Sequence, residues 1–208
     1  MKKYGYIGVA FIILVFGIYA VPKIVNQFKT PKLVKITEVP HFEFTNQNGE
    51  AISNSFYKDK VYVVEFFFTT CPTICPKMNE NMVLIQNEFY GNPNFGIASF
   101  SINPKHDTPE VLKAYAKKNK ATLKTWNFLT GKQDDIYQLA NNGFTLYAGE
   151  NSEAAGGFEH SGMFALVDKN GFIRSRVDEN GNPIAFYDGL DSKGIQMLKE
   201  DISILLKE

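Results

Sequence analysis

VYVVEFFFTTCPTICPKMNENM, Val61 to Met82, decides how the rest of this 208-residue chain is read. Val61 to Phe68 is an almost unbroken apolar run in which Glu65 is the one charge. Such a run of β-branched and aromatic residues fits a central strand buried on both faces. Met78, Met82, Ile85 and Phe89 then recur at helical spacing, the apolar stripe of an amphipathic helix. Between them lies Thr70-Cys71-Pro72-Thr73-Ile74-Cys75-Pro76, which holds both cysteines of the chain.

Each cysteine precedes a proline, and a residue before proline is biased away from the α region. The helix is therefore expected to start at Pro76, with Cys75 at its cap and Cys71 in the turn above. A helix N-terminus presents free N–H groups and partial positive charge, which favour a thiolate. A stapling disulfide here closes a loop of about five residues and contributes only about 2 kcal/mol. A strand-to-helix switch is also where α/β sheets bind ligands. Both points favour functional cysteines over a staple or two inert thiols. Three residues separate the pair, where a dithiol redox motif usually has two. Soft thiolates suit Cu(I). Two of them with one neutral imidazole make a three-coordinate site, and the imidazole helps to accommodate Cu(II).

Three histidines are available. His160 follows the small, polar loop at 151–157 and precedes an apolar strand, a place from which a distant ligand can be delivered. Glu159 or another carboxylate is a candidate to orient its ring. His41 and His106 read as surface or capping residues. Met78 and Met82 fall on the helix stripe and read as core rather than thioether ligands.

Working outward, His41 to Phe44 and the Asn48-Gly49 turn suggest an opening β-hairpin. Phe95 to Ile102 is a second strand. Asp107 marks the start of a helix, with Thr108 as its N-cap, Pro109 at the first helical position and Glu110 in the first turn. Trp126 to Leu129 is a short apolar piece, and 134–141 a helix. Met163 to Val167 and Phe172 to Val177 flank an Asn-Gly hairpin turn. A last helix starts at Asp191 or Ser192. This alternation predicts an α/β sheet with helices on both faces.

Residues 4–21 carry no charge. Eighteen residues at about 1.5 Å rise give about 27 Å, so residues 1–22 are expected to form a single transmembrane anchor rather than a cleaved signal peptide. Residues 23–38 read as a tether and 39–208 as the folded domain. Lysines on both sides of the span leave its orientation open. With 22 basic and 22 acidic residues the net charge is zero, which removes the electrostatic case for a nucleic-acid partner.

Phe66 to Pro76 (FFFTTCPTICP), Ser101 to Ala116 (SINPKHDTPEVLKAYA), Trp126 to Gly131 (WNFLTG) and His160 to Gly171 (HSGMFALVDKNG) together resemble the Sco/SenC copper-chaperone family. The resemblance covers roughly Val39 to the C-terminus. It implies a thioredoxin-like fold and an anchored domain on the extracytoplasmic side. It also implies copper held by Cys71, Cys75 and His160. The implied role is delivery of copper to, or reduction of the cysteines of, the binuclear copper centre of cytochrome oxidase. Thr73, Asn103 and Glu159 stand where the family often has aspartate. A second reading of the same pair is a thiol-disulfide oxidoreductase or thiol peroxidase, in which one cysteine attacks and the other resolves, with a thiol reductase as a possible partner.

Overall fold

A computed structural model describes residues 5–27 and 31–208, with the side chains of residues 5 and 22–27 left out. The expectations that rest on Lys2, Lys3, Lys23 and Lys29 lie outside the described residues and side chains. The chain divides into two units, Met1–Lys32 and Leu33–Glu208.

In the first unit, α1 (Gly5–Gln27) is helical. Its range runs past the apolar stretch, through Pro22 and Lys23 to Asn26 and Gln27. The expected transmembrane anchor is not recovered: among the described residues, no helix is long and apolar enough to cross a membrane.

The second unit begins earlier than the sequence suggested. Residues 33–38, read as the end of a tether, form β1 (Leu33–Glu38), which pairs antiparallel with β10 (Phe172–Arg176). Lys35 lies over the Phe172 ring, 4.1 Å from its centroid. A cation packed on an aromatic face belongs in such a strand, although its charge hid the pattern. The opening hairpin is present as β2 (Glu43–Asn46) and β3 (Ala51–Ser53), with Phe44 opposite Ile52. Gly49 takes a positive φ in its turn. Asn46 Oδ1 accepts from the backbone N–H of Asn48 and Glu50, which closes the turn.

The main sheet runs β1-β10-β9-β4-β5-β6-β2-β3, and β11 (Tyr187–Asp188) pairs with β9. At its centre, β4 (Val61–Phe67) lies parallel to β5 (Phe95–Ser101), and β5 parallel to β6 (Trp126–Thr130). On its other side β4 meets β9 (Met163–Val167) antiparallel, and β9 pairs with β10 as the Asn-Gly turn predicted. The parallel strands are joined through α2 (Cys75–Glu88) and α3 (Pro109–Lys118). Adjacent strand residues face opposite ways, and β4 uses both faces. Phe67 stacks on Tyr115 of α3 and meets Phe128, whereas Phe66 packs against Phe100 and Phe144. The segment around Phe144 follows α4 (Gln133–Gln138), so helical elements cover both faces. Every residue of β4 is buried, and each fully buried Phe is worth about 1.5–3 kcal/mol. Met78 and Met82 are wholly buried, as their spacing predicted.

Thr108 caps α3, its side chain accepting from Val111 N. Asp191 caps α5 (Ser192–Lys207) by accepting from Lys193 and Gly194 N–H. Ile195, Leu198, Ile202 and Leu205 form its buried side. A two-stranded ribbon, β7 (Ala148–Glu150) with β8 (Phe158–His160), stands apart from the main sheet.

Candidate metal centre

Both sulfurs are placed by the end of β4 and the start of α2. The helix begins one residue earlier than expected, with Ile74 at the N-cap, Cys75 first and Pro76 in the first turn. The bias that proline imposes on its predecessor is overridden here. Cys75 is 1% exposed, and its carbonyl accepts from Asn79 Nδ2 at 2.8 Å. Cys71 lies in the turn, where its N–H reaches Phe68 O and Thr73 Oγ1 comes within 3.6 Å of its sulfur.

The turn is fastened from below by a residue read only as the start of a helix. Asp107 is fully buried, and its carboxylate accepts from Thr69 N (3.0 Å), the Thr69 hydroxyl, the Ser101 hydroxyl and His106 Nδ1 (2.8 Å). Those bonds bind the approach to Cys71 to the end of β5 and the loop before α3. His106 thus belongs to a supporting pair, and His41 is exposed, so neither enters the centre.

The ribbon supplies the imidazole. Ala148 pairs with His160 across β7 and β8. The loop between these strands needs Gly156 twice over. Its φ is +89°, and a Cβ there would come within 2.8 Å of Phe68 and 3.3 Å of Pro72. His160 is 8% exposed and meets Phe68 edge-on at 5.8 Å. Its Nδ1–H donates to Ser161 O at 3.0 Å, which leaves the Nε2 lone pair free. Nε2 lies 3.1 Å from Cys75 Sγ. The orienting group is therefore a carbonyl. Glu159, expected in that role, accepts instead from Asn151 Nδ2 at 3.0 Å. Neighbouring residues of a strand point oppositely, which turns Glu159 away from the ring.

One donor atom from each of Cys71, Cys75 and His160 lies within 4.8 Å of the others. Both cysteines are free. The two sulfurs share their protons unequally. The hydrogen bond from Cys75, helped by His160 and Thr73, drives the Cys71 thiol well below the usual range against the opposing effect of burial. Cys75 is pushed up, by that same bond and by burial. Cys71 is thus the thiolate of the pair. It also lines a cavity of about 360 Å³ with Phe68, Thr73, Phe158 and His160, so the nucleophilic sulfur is the one open to a partner. The donor set suits a soft ion: two thiolates and a neutral imidazole.

The sequence signalled Glu65 only as a charge inside an apolar run. It is 1% exposed, and its Oε1 accepts from Ser99 Oγ at 2.6 Å. Burial raises its carboxyl to about 7, although Ser99 and the field of His160 pull the other way. The folded protein therefore holds this proton more tightly than the unfolded chain. Stability associated with Glu65 is full below about pH 4.5 and falls as the pH rises toward 7, by about 3 kcal/mol in all. Chemical denaturation of the metal-free protein across that window is expected to show this decline, and Glu65→Gln to flatten it. An equal slope in both proteins would refute the assignment.

Comparison with known proteins places this geometry. The family model described as SCO1/SenC matches residues 32–193. The chain belongs to the SCO1/SenC family. The SCO1 protein homolog of Bacillus subtilis (strain 168) is 34% identical over 166 residues, covering 78% of this chain and 84% of that one. A SCO1/SenC family lipoprotein from Bacillus anthracis str. Ames has a TM-score of 0.70 at 30% identity, over 81% of this chain and 94% of the other. BsSco, described as having a disulfide switch and as a member of the Sco family of cytochrome c oxidase assembly proteins, has a TM-score of 0.70 at 28% identity, over 84% and 96%. The SCO1/SenC fold of this chain is thioredoxin-like α/β, and it carries the β2–β3 hairpin ahead of β4.

Proposed function

We propose that this SCO1/SenC protein carries copper as cargo, held by Cys71, Cys75 and His160. We propose further that it supplies the copper to, or reduces the cysteines of, the binuclear copper site of a respiratory oxidase. The convergence of two sulfurs and a free Nε2 within 4.8 Å carries this reading. Family membership and the oxidase-assembly description of BsSco support it. The chain's own groups divide the task. Cys71 and Cys75 hold a soft cation as thiolates, and His160 Nε2 adds a neutral donor in a tautomer fixed by Ser161. The wall formed by Phe68 and Phe158 limits water at the sulfurs. Cu(I) is the natural charge for two thiolates, and the imidazole extends the site to Cu(II).

The free, unequally protonated dithiol supports a second reading, thiol-disulfide exchange. Cys71 would attack a protein disulfide or a peroxide, and Cys75 would resolve the product, with a thiol reductase restoring the pair. The two readings are compatible, since an oxidised pair holds no copper. The N-terminal helix supports a membrane tether: its side chains from Tyr6 to Tyr19, such as Phe11, Ile12 and Phe16, are apolar and exposed. The B. anthracis relative is described as a lipoprotein.

Cu(I) titration of the reduced protein tests the main reading. One ion per chain is expected, with His160→Ala weakening binding about tenfold or more and changing the copper spectrum. Unchanged affinity and spectrum in that variant would remove the imidazole from the centre.

A further inference from the structure

Glu65 is a buried acid that holding the donor atoms does not require. The pleat of β4 puts it on the face of Phe67, opposite Ser99 of β5. Its Oε1 is held by Ser99 Oγ, which itself accepts from Trp126 Nε1 at 2.9 Å. Its Oε2 is buried and has no partner among the described residues. That face leads to the cysteine helix. Phe67 stacks on Tyr115, the Tyr115 hydroxyl meets Asn79 Nδ2, and the same amide holds Cys75 O. Asn79 Oδ1 is a second buried acceptor without a donor among the described residues. Two acceptor oxygens therefore lie unanswered on the side from which α2 presents Cys75. Both arginines of the chain are engaged elsewhere, Arg174 with Asp168 and Glu208, and Arg176 with Asp201 and Glu200. Buried acceptors without a donor are costly, and a carboxylate oxygen so placed has no neighbouring counter-charge to cancel its field. The field of Glu65 is felt at both Cys75 and His160.

We infer that Glu65 is a charge-selecting residue, whose unpartnered carboxylate oxygen biases the Cys71–Cys75–His160 centre toward a divalent over a monovalent ion. The inference rests on the copper reading above. Two thiolates with Cu(I) leave a net charge of −1, and with Cu(II) a net charge of zero. A buried carboxylate repels the first assembly and not the second, and the low dielectric around it magnifies the difference. Glu65 is not a ligand and acts on the centre through its charge alone.

The test compares Cu(I) and Cu(II) affinities of the reduced full chain with those of Glu65→Gln, Glu65→Met and Glu65→Asp at about pH 8.5, where a carboxyl that titrates near 7 is ionised. Cu(I) is measured by competition with a chromophoric chelator and Cu(II) by its thiolate charge-transfer band. Both neutral variants are expected to lose about tenfold or more of the Cu(II)-to-Cu(I) affinity ratio, mainly through tighter Cu(I) binding. Glu65→Asp is expected to retain most of the ratio. An unchanged ratio overturns the proposal, as does an equal fall for both ions, which marks Glu65 as structural. If neither neutral variant folds without metal, the carboxylate is a folding group and the proposal falls. A wild-type chain that binds neither ion sinks the copper reading itself. That result is separate from any difference between variants.

Discussion

Cys75→Ser is expected to abolish copper retention while the domain stays folded. The hydroxyl is smaller than the thiol and still lies within reach of His160 Nε2, the present 3.1 Å partner of Cys75 Sγ. It is a hard, neutral donor, however, and a soft ion loses one of its two thiolates. Affinity for Cu(I) is expected to fall by roughly three orders of magnitude or more. Thermal unfolding offers a second readout. An ion present at about 1,000 times its dissociation constant adds about 4 kcal/mol to the native state. In the wild type that appears as a copper-dependent rise in Tm, somewhat reduced because the unfolded cysteines also bind metal. In Cys75→Ser the rise is expected to vanish. A variant that still gains stability from stoichiometric Cu(I) would show that the ion is held elsewhere.

The second large effect is expected at Asp107, which the centre depends on without using it as a ligand. Asp107→Ala removes the acceptor for Thr69 N, the Thr69 hydroxyl and the Ser101 hydroxyl together. Buried donors left unpaired cost about 1–3 kcal/mol each, and water entering the gap recovers part of that. A net loss of about 3 kcal/mol corresponds to a fall in Tm of roughly 6–12 °C for a domain of this size. Copper affinity is expected to fall as well, because Thr69 precedes Cys71 by two residues and the turn is no longer held in place. Thermal scans with and without metal separate the two effects. A Tm within 2 °C of wild type, a margin of about 1 kcal/mol, would mean that the turn is fixed by other contacts.

How much of this was legible in the sequence depended on whether a residue's role follows from its own segment. The β4 run and the α2 stripe were readable because burial imposes the periodicities of strand and helix. The β9–β10 hairpin was readable from its Asn-Gly turn. β1 was not, since Lys35 packs on Phe172 and a charge in a strand reads as solvent-facing. β7 and β8 span three residues each, too few for any pattern, and exist only because they pair. Both cysteines and His160 could be named as a set, but the group that orients the ring could not. It is a backbone carbonyl, which carries no side-chain signature. Asp107 was seen as a helix start, and its hold on Thr69 and Ser101 emerged only from the packing of β4, β5 and the loop before α3. Glu65 stood out as a charge in a greasy run, but its partner Ser99 on β5 was needed to show which way it faces.

The centre also joins distant parts of the chain. Two donors come from one short turn, and the third arrives 85 residues after Cys75. A bond between the cysteines alone restrains the unfolded chain very little. An ion shared with His160 closes a far longer loop, and in a cross-linking model such a closure is worth roughly 4–5 kcal/mol. The cargo thus doubles as a clasp. When it departs, that contribution to stability goes with it, and a recipient or reductant meets a molecule closer to unfolding than the one that arrived loaded.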